Sequence, residues 1–491
     1  MLERIIHQLT YNPDEPLLFS SALFLFLFLG FSFVYMMLQH QRTLRLLFVT
    51  AFSYYFYYKS SGFYFFLLAV VTLSDFTLAK AISCLKTRKA AKGALLTLSL
   101  AIDLGLLGYF KYTNFFCGMW ADIVGHNFQP YDIFLPVGIS FFTFQSMSYV
   151  IDVYRGTLRP LPSLLDYAFY VSFFPQLVAG PIVRARDFAP QIYRPLHITQ
   201  QMFAQGVYLI CVGLLKKAVI SDYISLNFVD RIFDNPSLYS GVENLLGIYG
   251  YTLQIYCDFS GYSDMAIGIA LLLGYHFPQN FNAPYRSVSI TDFWRRWHIS
   301  LSSWIRDYIY ISLGGNRKGT ARTYVNLIVT MLLGGLWHGA SLNFVAWGGM
   351  HGMALALHKW MRTNVFHHDK HYESHGWRRL GATILTFHFV ALCWVFFRNR
   401  TFGDSWTMLS RIATDFHPEL LTQVVSGYAY VFAFITLGYA THLLPASWER
   451  CCVTVLRHGG VVLSAVVMAA AVYMVVQVKS STIQPFIYFQ F

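Results

Sequence analysis

Apolar residues in this chain come in long unbroken runs rather than in stripes. Pro16 to Gln41 contains no Asp, Glu, Lys or Arg, and the same holds for Thr323 to His358, Leu420 to Trp448 and Gly459 to Val478. About 20 such residues in a helix cross a hydrocarbon core about 30 Å thick, because each residue rises about 1.5 Å. The runs are continuous, not alternating with period two, so they predict helices and not a membrane β-barrel. Apolar segments fall near 17–38, 43–58, 62–82, 93–116, 133–151, 164–183, 203–220, 244–274, 323–358, 380–397, 425–444 and 459–478. Four depart from a simple span. The stretch 43–58 is short and aromatic, and 133–151 opens on Pro136 and Gly138. The stretch 244–274 carries Asp258 and Asp264, while 323–358 is long enough to enter and leave, or to break midway. The pattern predicts an all-α polytopic membrane protein with about eleven crossings plus re-entrant and interfacial pieces. No Gly/Ser linker or short-period repeat interrupts it. The expected organisation is one membrane domain over 1–491, with a short N-terminal segment (1–16), an interfacial segment (280–322) and a polar His-rich loop (359–379).

Composition closes off the soluble alternative. Hydrophobic residues make up 56% of the 491 positions and charged residues only 12%. Soluble domains carry about a quarter charged residues, so a water-facing surface for this mass could not be assembled. The first apolar run is longer than the core of a signal peptide and has no small-x-small cleavage site after it, so it reads as a retained span. Seven cysteines, scattered apart from Cys451–Cys452, form no C-x-x-C pair, which argues against a disulfide framework or a zinc finger. The formal net charge of +12 suggests nucleic acid at first sight. The basic residues, however, cluster in loops between spans: Lys86, Arg88, Lys89 and Lys92, then Arg286 through Arg322. That is the positive-inside pattern, so the charge reports topology and membrane lipid, with a cytoplasmic anionic ligand as a second use. Seven Lys or Arg against two Asp between Arg286 and Arg322 place that face in the cytoplasm.

Few residues in such a chain can do chemistry. His338 lies in Gly335-Leu336-Trp337-His338-Gly339, 16 residues past Arg322, and a continuous helix would carry it about 24 Å inward. Ionisable groups at that depth are costly and mark functional sites, and a neutral imidazole can take a proton from a hydroxyl at pH 7. The plainer reading is a histidine hydrogen-bonded to a neighbouring helix, with the glycines serving close packing. His298 follows Trp294, Arg295, Arg296 and Trp297; a second catalytic histidine and an interfacial anchor both fit there. The arginines suit phosphate binding or lipid headgroups. Asp258 and Asp264 suit either proton or ion coupling, as in a transporter, or a structural pair with an arginine. His367, His371 and His375 would share one helical face, yet a polar loop offers no frame to fix ligand geometry, so no metal site is expected.

Taken together, these motifs resemble the membrane-bound O-acyltransferases (MBOAT), in the bacterial branch of the alginate O-acetyltransferases and D-alanyl transfer proteins. The matching stretches are Leu135–Gln145 (LPVGISFFTFQ), Phe174–Ile182 (FPQLVAGPI), Tyr256–Asp264 (YCDFSGYSD), Asp292–His298 (DFWRRWH), Gly335–Gly339 (GLWHG) and Pro485–Phe491 (PFIYFQF). They run in the family's order, and their wording is closer to the alginate type. The segment through Pro16 and the His-rich loop carry none of these motifs, and their roles stay open.

The resemblance implies a multi-helix core pierced by a tunnel, with a cytoplasmic donor entrance and an outer acceptor funnel. The family's buried histidine falls on His338 and its second histidine on His298, with Trp294, Arg295, Arg296, Trp297 and Trp337 lining the donor side or tunnel. It also implies no bound cofactor, but an acyl thioester donor, acetyl-CoA or an acyl carrier. The acyl group, most simply acetyl, would pass to a hydroxyl on an SGNH-type extracytoplasmic partner protein or a polysaccharide, from the bacterial inner membrane and with no nucleic-acid role. The alternatives are D-alanyl transfer to a teichoic-acid-like polymer, or a transporter using Asp258 and Asp264.

Overall fold

A computed structural model describes residues 2–13, 15–85, 88–367 and 375–478. Pro485–Phe491, Lys86 and the His-rich tract from His368 to Ser374, His371 included, lie outside the described residues. Among the described residues all regular structure is helical.

Five helical stretches are long and apolar enough to cross a membrane: Arg42–Cys84, Lys89–Val124, Gln200–Asp234, Gly376–Arg398 and Ala446–Val478. A sixth follows if Pro418–Gly427 and Ala429–Thr441, bent by 93°, count as one. Length and hydropathy thus account for about half of the eleven crossings expected. The other apolar segments take shorter or more polar forms, each for a local reason. The expected span 164–183 is not one helix. It ends at Ser172, turns at Phe173 (φ −52°, ψ 109°), and resumes for only four residues. Pro175 stands at the start of that second piece, where it cannot donate back into the preceding turn. The expected span 425–444 is likewise realised as the bent pair, and 459–478 as the part of a longer helix beyond a kink at Gly460.

The chain's contacts group into two units. The first comprises residues 1–210 and 265–278. In it α1 (Ala22–Met37), α2 (Arg42–Ser61), α3 (Phe65–Cys84) and α4 (Lys89–Leu107) precede α5 (Ile139–Arg155) and α6 (Leu164–Ser172). Helices α3, α4 and α5 pack on one another, and α6 packs on α2 and α3. Every residue of α5 from Ile139 to Val150 is buried, Ser140, Thr143, Gln145, Ser146 and Ser148 included, so α5 is a central element of this unit. Asp75 and Asp103 are also fully buried here, and Ser99 donates its hydroxyl to Asp75 at 2.7 Å.

The second unit comprises residues 211–264 and 279–491. It takes the first part of α7 (Gly241–Leu272), then α8 (Ile290–Arg296) and α9 (Ile299–Trp304) from the basic segment. Next come α10 (Thr320–His338), α11 (Leu342–Trp360), α12 (Gly376–Arg398), α13 (Ala429–Thr441) and α14 (Ala446–Val478). The long run 323–358 therefore breaks midway, at Gly339–Ser341, into the α10–α11 hairpin. Glycine permits its closeness. A Cβ on Gly335 would stand 2.2 Å from the Phe344 carbonyl oxygen, and one on Gly348 would stand 2.4 Å from that of Met331. Backbone packs directly on backbone, as small residues allow between membrane helices. Helix α8 lies against both α11 and α12, which brings the basic segment onto the hairpin.

Candidate active site

His338 is the last residue of α10, and only 3% of it is exposed. Rings surround it: Trp337 at 4.9 Å between centroids, Trp347 of α11 at 5.1 Å and Phe397 of α12 at 5.2 Å. The position follows from the local sequence. Gly339 caps α10 in an extended conformation, and the Phe344 ring covers it so closely that any Cβ would overlap it. At the same end, Asn343 donates its side-chain amide to the Asn399 carbonyl at 2.8 Å, tying α11 to the end of α12.

His298 sits between α8 and α9 in the left-handed region (φ 43°, ψ 55°), where non-glycine residues are uncommon. It is wholly buried in the protein. Asn280 holds it there. The Asn280 Oδ1 accepts from His298 Nδ1 at 3.1 Å and from the Ser300 hydroxyl at 2.9 Å, while its backbone carbonyl accepts from the Ile299 amide at 2.9 Å. Its Nδ2 donates to Ser263 Oγ at 3.1 Å, which fixes the orientation of the amide. With Nδ1 donating, the neutral imidazole carries its lone pair on Nε2. Burial pushes the His298 imidazole down to about 3, so it stays neutral at working pH. The Phe259 ring meets it edge-on at 4.6 Å.

Trp337 connects the two histidines, its ring 6.2 Å from His298 and 4.9 Å from His338. Trp297 is buried against Phe281 and Trp394, each at 5.0 Å. Trp294 is half-buried against Trp347 at 5.8 Å. Both histidines, Trp294, Trp297 and Trp337 therefore belong to one aromatic nest. The paired arginines separate: Arg296 bonds Asp292 at 3.0 Å, whereas Arg295 is exposed. Arg295 and Arg362 lie near His358, whose Nδ1 meets Thr291 Oγ1 at 2.9 Å.

The two acids lie outside this nest. Asp264 bonds Lys216 at 2.7 Å, and Asp258 bonds Lys217, which also bonds Asp222 at 2.7 Å. Their partners are lysines, not the arginine expected, and consecutive basic residues inside an apolar stretch were the overlooked signal. Among the described residues no group of three His, Cys, Asp or Glu could hold a metal ion. A groove of about 990 Å³ runs along α13 and the helix before it, from Leu421 to Ala440, and includes none of these residues.

His351 was missed altogether. It is wholly buried on α11, one turn beyond Trp347, with ring centroids 4.7 Å apart. Trp294 Nε1 donates to its Nδ1 at 3.3 Å. The Trp347/His351 spacing of four beside Gly348 and Gly352 would have placed it on the packed face.

Residues 157–368 match the model of the membrane-bound O-acyltransferase family. The chain is 43% identical over 396 residues to the probable alginate O-acetylase AlgI of Pseudomonas aeruginosa, covering 80% of this chain and 74% of that protein. It is 38% identical over 346 residues to the peptidoglycan O-acetyltransferase of Helicobacter pylori, covering 65% of this chain and 64% of that protein. The teichoic acid D-alanyltransferase of Bacillus subtilis is more distant, 29% identical over 290 residues, covering 56% of this chain and 71% of that protein. The chain belongs to the membrane-bound O-acyltransferase family. It is a multi-pass membrane O-acyltransferase, and the group it transfers comes from an acyl donor rather than a bound cofactor.

Proposed function

We propose that this protein moves an acetyl group from a cytoplasmic thioester through the membrane to a hydroxyl on an exported polymer, or on an SGNH-type extracytoplasmic partner that passes it on. The observation that carries the reading is the burial of His338 at the tip of α10, walled by Trp337, Trp347 and Phe397 and one tryptophan away from His298. The enclosing rings shield the site from water that would hydrolyse a thioester, and a neutral imidazole can take a proton from a hydroxyl. In the step, the acceptor oxygen bonds to the thioester carbonyl carbon while His338 takes the hydroxyl proton. The carbon–sulfur bond then breaks, and the departing sulfur receives that proton from the imidazolium. His298 sits toward the donor side, where its neutral ring orients the thioester.

The basic segment supplies the donor end. Arg295 and Arg362, beside the His358 ring, form a cationic mouth suited to the phosphates of acetyl-CoA or an acyl carrier; Arg296 is engaged with Asp292 and holds α8 instead. Positive-inside bias supports a cytoplasmic position for this mouth, and a bacterial inner membrane is the setting this reading takes for it. Acetyl is favoured over D-alanyl because the O-acetylating relatives are nearer in sequence. Lysines neutralise Asp258 and Asp264, so no observation favours the transporter alternative. Proteoliposomes with labelled acetyl-CoA on one side and a polysaccharide hydroxyl acceptor with its partner protein on the other test the reading. Acetyl ester on the far side supports it; ester formed only when both substrates share a side contradicts it.

A further inference from the structure

Two buried N–H donors on α11 have no hydrogen-bond acceptor among the described residues: Trp347 Nε1 and His351 Nε2. Trp347 is 1% exposed and His351 0%. The proton on His351 is located by its other nitrogen. Trp294 donates to Nδ1, so a neutral ring carries its hydrogen on Nε2. A buried donor without an acceptor costs about 1–3 kcal/mol, a cost that a bound carbonyl oxygen would remove. Here two occur one helical turn apart, and the Trp347 ring lies between His351 at 4.7 Å and His338 at 5.1 Å.

We infer that Trp347 and His351 form a two-donor cradle for carbonyl oxygens of the acyl donor, holding the thioester arm on the approach to His338. This rests on the acyl-transfer reading above and names the residues that bind its donor. The chemistry of the walls selects the occupant. Trp394, Phe397 and Phe389 pack around the two rings, so a carboxylate or phosphate would be buried there without a counter-ion. A neutral carbonyl needs only the hydrogen bonds on offer. Location agrees: on α11 the order from the cationic mouth inward is His358, His351, Trp347, and the α10–α11 turn beyond them carries His338. A phosphate at the mouth and carbonyls along this face describe a thioester on a long, amide-bearing arm.

Binding is best read in a His338→Ala background, where no turnover consumes the probe, which is acetyl-CoA itself. Acetyl-CoA is expected to raise the thermal midpoint of that protein. Trp347→Phe, which keeps the ring and deletes the N–H, should shrink the rise, as should His351→Phe, whereas His351→Gln, which keeps a donor, should retain most of it. With His338 intact, Trp347→Phe should raise the donor KM about three- to tenfold, the loss of one hydrogen bond, and change kcat less. The ligand-free midpoint of Trp347→Phe should stay level or rise, because a buried donor without a protein acceptor has been removed; a structural hydrogen bond would give a fall. An unchanged acetyl-CoA shift in both Trp347→Phe and His351→Phe, or no shift in the His338→Ala parent, overturns the cradle. Intact binding with lost turnover in the parent concerns the base alone.

Discussion

Replacing Gly335 by alanine adds one methyl group three residues before His338, at a point where two helices touch through backbone. The added Cβ would lie 2.2 Å from the Phe344 carbonyl oxygen and 3.1 Å from Gly348 Cα. Neither atom belongs to a side chain that can swing away. Ordinary contact begins near 3.4 Å, so α10 and α11 must part by about 1.2 Å. Overpacking of this kind typically costs about 1–3 kcal/mol, which a multi-helix protein survives. The displacement acts mainly on function, since His338 and Trp347 sit on opposite arms of that hairpin, and misplacement by about 1 Å can cost about a hundredfold in rate. Gly349→Ala is the matched control: its Cβ would meet only Leu332 Cδ2, at 3.5 Å. Acetyl transfer per folded protein, measured after size-exclusion and thermal-midpoint checks, should fall about a hundredfold for Gly335→Ala and stay within about twofold for Gly349→Ala. Equal activity in the two variants would refute the claim that the close hairpin positions the base.

Other consequences follow from the same geometry. Lys217→Met leaves Asp258 and Asp222 without their shared cation and should cost about 3–5 kcal/mol in detergent-solubilised stability, with no dependence of activity on an ion gradient; normal stability would remove the structural role of these acids. Arg295→Gln should raise the donor KM more than it lowers kcat, whereas Arg296→Gln should act on stability through the lost bond to Asp292, as initial rates against donor concentration would separate. Because burial holds the folded His298 down at about 3 while its unfolded value is 6.5, the unfolded chain binds the extra proton. The thermal midpoint should therefore fall as pH drops from about 6.5 toward 3, and less steeply in His298→Gln.

Much of this was legible in the chain itself. Continuous uncharged runs gave helices in a membrane, and the length of 323–358 already allowed the break found at Gly339. His338, His298, Trp294, Trp297 and Trp337 stand out because charge and aromatics are conspicuous against an apolar background, and the fold does gather them. Other features depend on which residues meet across helices, which periodicity does not encode. Phe173 ends a helix inside an apolar run because of Pro175, and Asp258 and Asp264 find lysines rather than an arginine. Asn280, 18 residues before His298, is its hydrogen-bond partner only because the intervening loop doubles back. His351 looks like one more polar residue in a glycine-rich helix until Trp294 arrives from another segment to bond it.

The central claim is that His338 is the base, and one comparison tests it most directly: acetyl transfer per folded protein for His338→Ala and His338→Gln, in purified, reconstituted enzyme. General-base catalysis contributes about 10²–10⁴ in rate, so both variants should lose at least that much while inserting and binding acetyl-CoA normally. Glutamine should fail with alanine, because an amide can donate and accept a hydrogen bond but cannot hold the proton taken from a hydroxyl. Activity within a few fold of the unaltered enzyme in either variant would contradict the account.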